Sequence, residues 1–156
     1  MSDADTKKTQ IEEAIKKLVG FMNLECQVEL REQKDERKAL VVSIFTPEDA
    51  KFLIGRNGQN LKAMEHIVRM MFVKNTEDLS LVLDVNDYRK SRSMYLIDLA
   101  KQAVTRVRNT QKAEALVPMT AYERRVVHME LAACPDVATE SIGEEPYRRI
   151  VIKPYP

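Results

Sequence analysis

Two glycines three residues apart, Gly55 and Gly58, limit the folds open to this chain more than any other feature. They interrupt a stretch that would otherwise read as one amphipathic helix from Pro47 to Phe72. Only four glycines serve all 156 residues, so a pair this close marks a required break in the backbone. The spacing predicts a short helix that Pro47 opens and that ends near Ile54. The turn Gly55-Arg56-Asn57-Gly58 follows, and a second helix starts at Gln59, with Leu61, Met64, Val68, Met71 and Phe72 facing inward.

The flanking segments switch between helical and strand periods. Thr9 and Glu12 form a capping box for a first helix whose stripe is Ile11, Ile15, Leu18, Val19 and Met22, and Asn23 suits a left-handed stop. Residues 1–8 read as a polar tail. Leu24–Arg31 alternates, Gln33–Lys38 is a charged turn, and Ala39–Phe45 is a more buried strand, so the three make a hairpin. Leu79–Val85 is a third strand. Asn86 or Asp87 then caps a long helix to about Asn109, striped by Leu96, Leu99, Ala100, Ala103 and Val107. A short strand at Ala113–Val117 stops at Pro118. Thr120 and Glu123 make a second capping box for a helix to about Ala133, and strands follow at Val137–Gly143 and Arg148–Lys153. The expected architecture is α+β, in two small units covering residues 9–85 and 86–156, joined without a Gly/Ser linker.

Composition excludes several classes. No apolar run approaches the length of a membrane span, and the polar N-terminus carries no secretory signal. Cys26 and Cys134 stand far apart, which fits a reducing cytosol rather than a disulfide framework. Two histidines and two cysteines, none at ligand spacing, give no zinc site, and no metal or cofactor is expected. Net charge is +1, but it is unevenly spread. Residues 51–112 hold 12 Lys/Arg against 6 Asp/Glu, while residues 1–50 hold 8 against 11 and residues 113–156 hold 5 against 7. A local basic excess of this kind matters more to an anionic ligand than the total.

The chemistry of the glycine turn fits such a ligand. A helix start offers unpaired N–H groups and the positive end of a dipole. The glycines admit a phosphate-sugar backbone at close range, Arg56 adds charge, and Leu53, Ile54 and Leu61 supply apolar surface for bases. Taken alone, G-x-x-G also fits an ordinary helix–helix turn. The whole segment Phe52-Leu53-Ile54-Gly55-Arg56-Asn57-Gly58-Gln59-Asn60-Leu61 closely resembles the signature of the KH RNA-binding domain, in the helix-first order of the bacterial type II form. That resemblance implies a clamp for about four nucleotides of single strand, with Gln59 and Asn60 part of it. It is neither a dinucleotide fingerprint nor a Walker loop, because a third glycine, a preceding strand and a following Lys-Ser or Lys-Thr are missing.

A second constellation, Tyr122-Glu123-Arg124-Arg125-Val126-Val127-His128, places Arg124 and His128 on one helical face. A guanidinium beside an imidazole suits a phosphate or a base, although a solvated surface face carries the same pair. Following a short strand and preceding two more, Arg-x-x-x-His resembles the R-three-H domain, a single-stranded nucleic-acid module with a three-stranded sheet. The tail from Thr139 to Ile152 resembles that family's closing hairpin, with Ile142 at a turn position where a polar residue is expected. Arg149, Val151 and Lys153 alternate onto one face of the last strand, so Arg149 and Lys153 are candidates to extend the basic surface. Arg89, Lys90 and Arg92 sit at the positive end of the long helix, where cations are misplaced and a phosphate is one explanation.

A KH unit followed directly by an R-three-H unit is the arrangement of the bacterial Jag family, also called SpoIIIJ-associated proteins. The resemblance covers roughly residues 9 to 154. It implies a cytoplasmic, non-catalytic protein that binds single-stranded RNA, with single-stranded DNA open to the second unit. It also implies links to cell elongation or division, a small single-KH protein as partner, and no insertion into a membrane. Residues 1–8 leave little room for the extra N-terminal domain of many members. A nuclease with His128 as general base would need a second acid or a carboxylate cluster for metal, and neither accompanies it. A protein-interaction adaptor using the same groove is the alternative.

Overall fold

The computed structural model describes residues 3–34, 38–73 and 80–155. It divides between Arg89 and Lys90 into two compact units, four residues beyond the expected 85/86 boundary.

In the first unit the order is α1 (Asp3–Phe21), β1 (Gln27–Lys34), β2 (Lys38–Phe45), α2 (Ala50–Ile54), a 3₁₀ turn (Arg56–Gly58), α3 (Gln59–Phe72) and β3 (Ser80–Val85). The helix α1 starts well before the expected capping box, so residues 3–8 are not a tail. No glycine or proline breaks that polar stretch, and the Thr9 hydroxyl donates to the Asp5 carbonyl at 3.1 Å instead of capping. Glu12 pairs with Lys16 at 2.5 Å along the helix. Ile11, Ile15 and Val19 are buried as the stripe predicts, Leu18 is half-buried, and Met22 is exposed. Asn23 does take the left-handed conformation, φ 56°.

The strand β1 begins three residues later than expected. Leu24 and Cys26 lead into it and pack, with Val28 and Leu30, against the core. It runs antiparallel to β2, from Gln27 opposite Phe45 to Lys34 opposite Lys38. Of the charged turn expected at Gln33–Lys38, Gln33, Lys34 and Lys38 belong to the strands, which run further than their apolar pattern, and residues 35–37 lie outside the described residues. The strand β3 lies parallel to β2, from Ala39 opposite Ser80 to Ile44 opposite Val85, and α2 and α3 supply the crossover that a parallel pair needs. Leu79, the expected first residue of this strand, also lies outside the described residues. Leu40, Val42, Ile44, Leu81, Leu83 and Val85 close the core under α1 and α3. On α3, Leu61 and Val68 are buried, Met64 and Phe72 are partly buried, and Met71 is turned out at 52% exposure.

The sheet order β1-β2-β3 leaves β3 at an edge. Side chains meet its outward main-chain groups. Arg69 donates to the Leu81 carbonyl at 3.1 Å, the Leu83 N–H donates to Glu65 at 2.9 Å, and Arg89 Nε donates to the Leu83 carbonyl at 2.9 Å. The Val85 N–H donates to the Asp84 carboxylate at 2.9 Å. Glu65 is the hub, because it also accepts from Arg69 at 3.1 Å and from Arg89 at 2.5 Å. Burial pushes the Asp84 carboxyl above its ordinary value, against the hydrogen bonds it accepts from the Arg89 and Val85 N–H groups.

The second unit comprises the body of α4 (Tyr88–Thr110), β4 (Glu114–Ala115), α5 (Ala121–Leu131), β5 (Val137–Ile142) and β6 (Arg149–Pro154). Its sheet is antiparallel in the order β4-β6-β5. The core joins Leu96, Ala100, Ala103, Val104 and Val107 of α4 to Val127 and Leu131 of α5 and to Ile150 and Ile152 of β6. Val104 takes the inward place expected of Leu99, which is half-buried. The Thr120–Glu123 capping box forms in both directions.

Candidate functional site

The turn between α2 and α3 owes its shape to both glycines. Gly55 ends α2 at φ 71°, donating its N–H to Lys51, and Gly58 precedes α3 in the left-handed region at φ 79°. Between them Asn57 is also left-handed, φ 55°. A Cβ on Gly55 would lie 2.5 Å from Asn60 Cγ, and one on Gly58 would lie 2.9 Å from Tyr88 Cε1. Asn60 closes the turn by donating from Nδ2 to the Phe52 carbonyl at 2.8 Å.

Arg56, Asn57, Gln59 and Asn60 are exposed, and Gly55, Gly58 and Ile54 are half-buried. No side chain caps α3 and no acid stands in its first turn, among the described residues. The Gly58 and Gln59 N–H groups are taken by the Gly55 and Arg56 carbonyls of the 3₁₀ turn, so Arg56 and the positive end of the helix make the rim. Leu53 and Leu61 do not belong to that rim. They are 0% and 2% exposed and form part of the core, so they hold the turn from below and offer no surface to a base. Sequence reasoning passed over Phe52, which is 51% exposed with Lys51 Nζ 5.2 Å from its ring centroid.

On α5 the arginine and histidine differ sharply. The Arg124 side chain is 11% exposed. Its Nη1 donates to the Met119 carbonyl at 2.7 Å and pairs with Glu145 of the β5–β6 turn at 2.8 Å. This guanidinium staples the turn to the start of the helix. His128 is exposed and sets Nδ1 2.5 Å from the Thr139 hydroxyl on β5. Arg125 is exposed beside it.

Arg149 and Lys153 do not join that face. Thr139 stands opposite the buried Ile152, whereas Arg149 stands opposite Ile142 and Lys153 opposite Ala138. Paired residues share a face, so Thr139 and His128 belong to the helix-covered side of the sheet. Arg149, Val151 and Lys153 lie on the other side. There Lys153 pairs with Glu140, and Arg149 Nε donates to the Tyr147 carbonyl at 3.2 Å. Ile142 is exposed at 41%.

The misplaced cations at the start of α4 have structural partners. Arg89 is bound into the β3 edge, and Arg92 pairs with Glu123 at 3.2 Å, both side chains 11% exposed. The guanidinium of Arg92 also lies 5.8 Å from the Tyr95 ring centroid. Lys90 alone of the three is fully on the surface. Glu65, Tyr88, Thr139 and Glu145 carry no local sequence signal, because each acts on a residue distant in the chain.

Among the described residues, no group of three or more His, Cys, Asp or Glu could hold a metal ion, and no helix is long and apolar enough to cross a membrane. The family model of the R-three-H domain matches residues 94–154. The RNA-binding protein KhpB of Clostridium symbiosum is 31% identical over 149 residues, covering 95% of this chain and 66% of that protein. The proteins of the same name from Lactiplantibacillus plantarum and Bacillus subtilis are 36% identical over 101 residues and 32% over 120. Those alignments cover 64% and 75% of this chain, and 31% and 58% of the relatives. The chain thus spans between about a third and two thirds of the length of these relatives.

Proposed function

The chain belongs to the Jag family and carries its R-three-H domain at residues 94–154, and from that premise we propose that it binds single-stranded RNA without catalysing a reaction on it. The observation that carries this reading is the turn at Gly55–Gly58. Its backbone is held in a shape only glycines tolerate well, and it exposes Arg56 and the uncapped start of α3. The glycines let Asn60 and Tyr88 pack against the inner side of the turn, which leaves Arg56 and the helix start facing outward to a sugar-phosphate backbone. The element order of the first unit, with β2 and β3 parallel, supports reading residues 9–85 as a type II KH domain, extended by residues 86–89. Such a domain grips about four nucleotides. The relatives are themselves named RNA-binding proteins.

In the second unit, Arg125 and His128 are the groups placed to meet a strand, RNA or single-stranded DNA, while Arg124 orders the turn behind them. Arg149 and Lys153 would serve a second stretch of strand on the far face of the sheet. A cytoplasmic place in cell elongation or division, alongside a small single-KH protein, completes the proposal.

The test is fluorescence anisotropy with a labelled single-stranded RNA, comparing wild type with Arg56→Asp/Asn57→Asp. Two carboxylates at the rim should remove most of the affinity without lowering the melting temperature. Unchanged affinity in a folded variant would remove the turn from the binding site. The same RNA should be recovered intact after incubation.

A further inference from the structure

The two glycines of the turn each abut one side chain. Asn60 stands before Gly55 and lies within the motif. Tyr88 stands before Gly58, with its ring carbon 2.9 Å and its hydroxyl 3.4 Å from the place a Cβ would take. Tyr88 is the first residue of α4 and packs against the core of the first unit.

It is held there from both sides. Before it, Asn86 is left-handed at φ 49° and donates its N–H to the Ile44 carbonyl at 2.9 Å. The Asn86 amide also accepts from the Thr46 N–H at 3.0 Å and donates to the Thr46 carbonyl at 2.9 Å. After it, the Arg89 N–H donates to Asp84 at 3.2 Å while the guanidinium binds Leu83 and Glu65. The backbone that carries the ring is thus held at Asn86 and Arg89, so the turn packs against a side chain set on an ordered segment.

We propose that Tyr88 is a positioning residue for ligand binding by the Gly55–Gly58 turn, holding Gly58 and the start of α3 in the geometry that receives a sugar-phosphate backbone. This rests on the reading of that turn as the single-strand site. Tyr88 makes the rim rigid before the ligand arrives, and its loss charges the ordering of the rim to the binding step.

The experiment measures binding of a labelled single-stranded RNA to the full chain across a salt series. The proteins are wild type, Tyr88→Ala, Tyr88→Phe and Arg56→Ala. Tyr88→Ala should weaken binding by about five- to tenfold, and its slope of log affinity against log salt should match wild type, because the ring touches no phosphate. Arg56→Ala should flatten that slope by about one unit. Tyr88→Phe should bind within about twofold of wild type, since the ring fills the space. Amide resonances of Arg56–Gln59 should shift and exchange faster in Tyr88→Ala, with the rest of the spectrum retained.

Wild-type affinity in Tyr88→Ala together with a loss in Arg56→Ala overturns the positioning role and leaves the site standing. Wild-type affinity in both overturns the site and the role with it. An equal loss in Tyr88→Phe overturns the ring as the agent.

Discussion

Arg92 and Glu123 offer the most direct test of how the second unit is held together. The Glu123 carboxylate takes Arg92 Nε on one oxygen at 3.2 Å and the Thr120 N–H on the other at 2.9 Å, and both charged side chains are 11% exposed. Replacing Arg92 with Met leaves a nearly buried carboxylate without its counter-charge. Breaking a fully buried pair costs about 3–5 kcal/mol. Here the contact is long, some solvent remains, and the cap bond survives, so the expected loss is about 2–3 kcal/mol. That is roughly a 30- to 160-fold fall in the folded-to-open ratio. Glu123→Gln keeps an acceptor for Thr120 but strands the guanidinium, at about 2 kcal/mol. The double variant removes both charges and should be at least about 1 kcal/mol more stable than the sum of the singles implies. Two units need not melt in one transition, so the assay is hydrogen exchange of α5 amides in the full chain. Single costs that add in the double variant to within about 0.3 kcal/mol would refute the coupling and reduce Glu123 to a helix cap.

The other expectations are simpler. Leu83→Ala, at a site with 0% exposure between β2 and α3, should destabilise the first unit by about 2–5 kcal/mol, seen as a lower midpoint in urea. Glu145→Gln releases one partner of Arg124 and should raise single-strand affinity about two- to fivefold by freeing a charged donor; an unchanged dissociation constant would mean the guanidinium stays committed to Met119. Acid should weaken the second unit. Hydrogen bonds from Arg106 and Arg108 hold the Glu114 and Asp136 carboxyls below their ordinary values. The unfolded chain therefore takes up protons first as pH falls, so the stabilisation is full above the ordinary carboxylate pKa and is lost as pH falls on through the lowered folded values. Both pairs are solvent-screened, so the drop in melting temperature between about pH 5 and about pH 3 should be small and should vanish in Arg106→Gln/Arg108→Gln.

What was legible in the sequence was local. The Thr120–Glu123 box formed as read because cap and partner are one turn apart. The identical spacing at Thr9–Glu12 failed as a helix start because nothing between Asp3 and Lys8 breaks a helix, and the pattern does not state whether the chain is already helical. The glycine turn was legible from its spacing, yet the motif assigned Leu53 and Leu61 to a surface that their packing denies. Strand alternation correctly grouped Arg149, Val151 and Lys153. It also set Ile150 and Ile152 on the opposite, helix-covered side, which keeps Arg149 and Lys153 away from His128. The tasks of Arg124, Arg89 and Arg92 are set by Glu145, Glu65 and Glu123, acids brought close only by the fold.

The capped edge of β3 also sets an order of events during synthesis. Glu65 waits 24 residues for Arg89, and Leu83 receives its guanidinium only after the first turn of α4 exists. A chain growing from its N-terminus at about 5–20 residues per second therefore completes a sheet whose edge Arg69 and Glu65 cover only in part before Arg89 can finish the cover. An unpaired edge is a template for another strand, including that of a neighbouring nascent chain on the same message. A pause in translation some tens of codons after Arg89, when β3 has left the ribosomal tunnel and Arg89 has not, would lengthen that interval, so codon choice within the second unit bears on how cleanly the first is made.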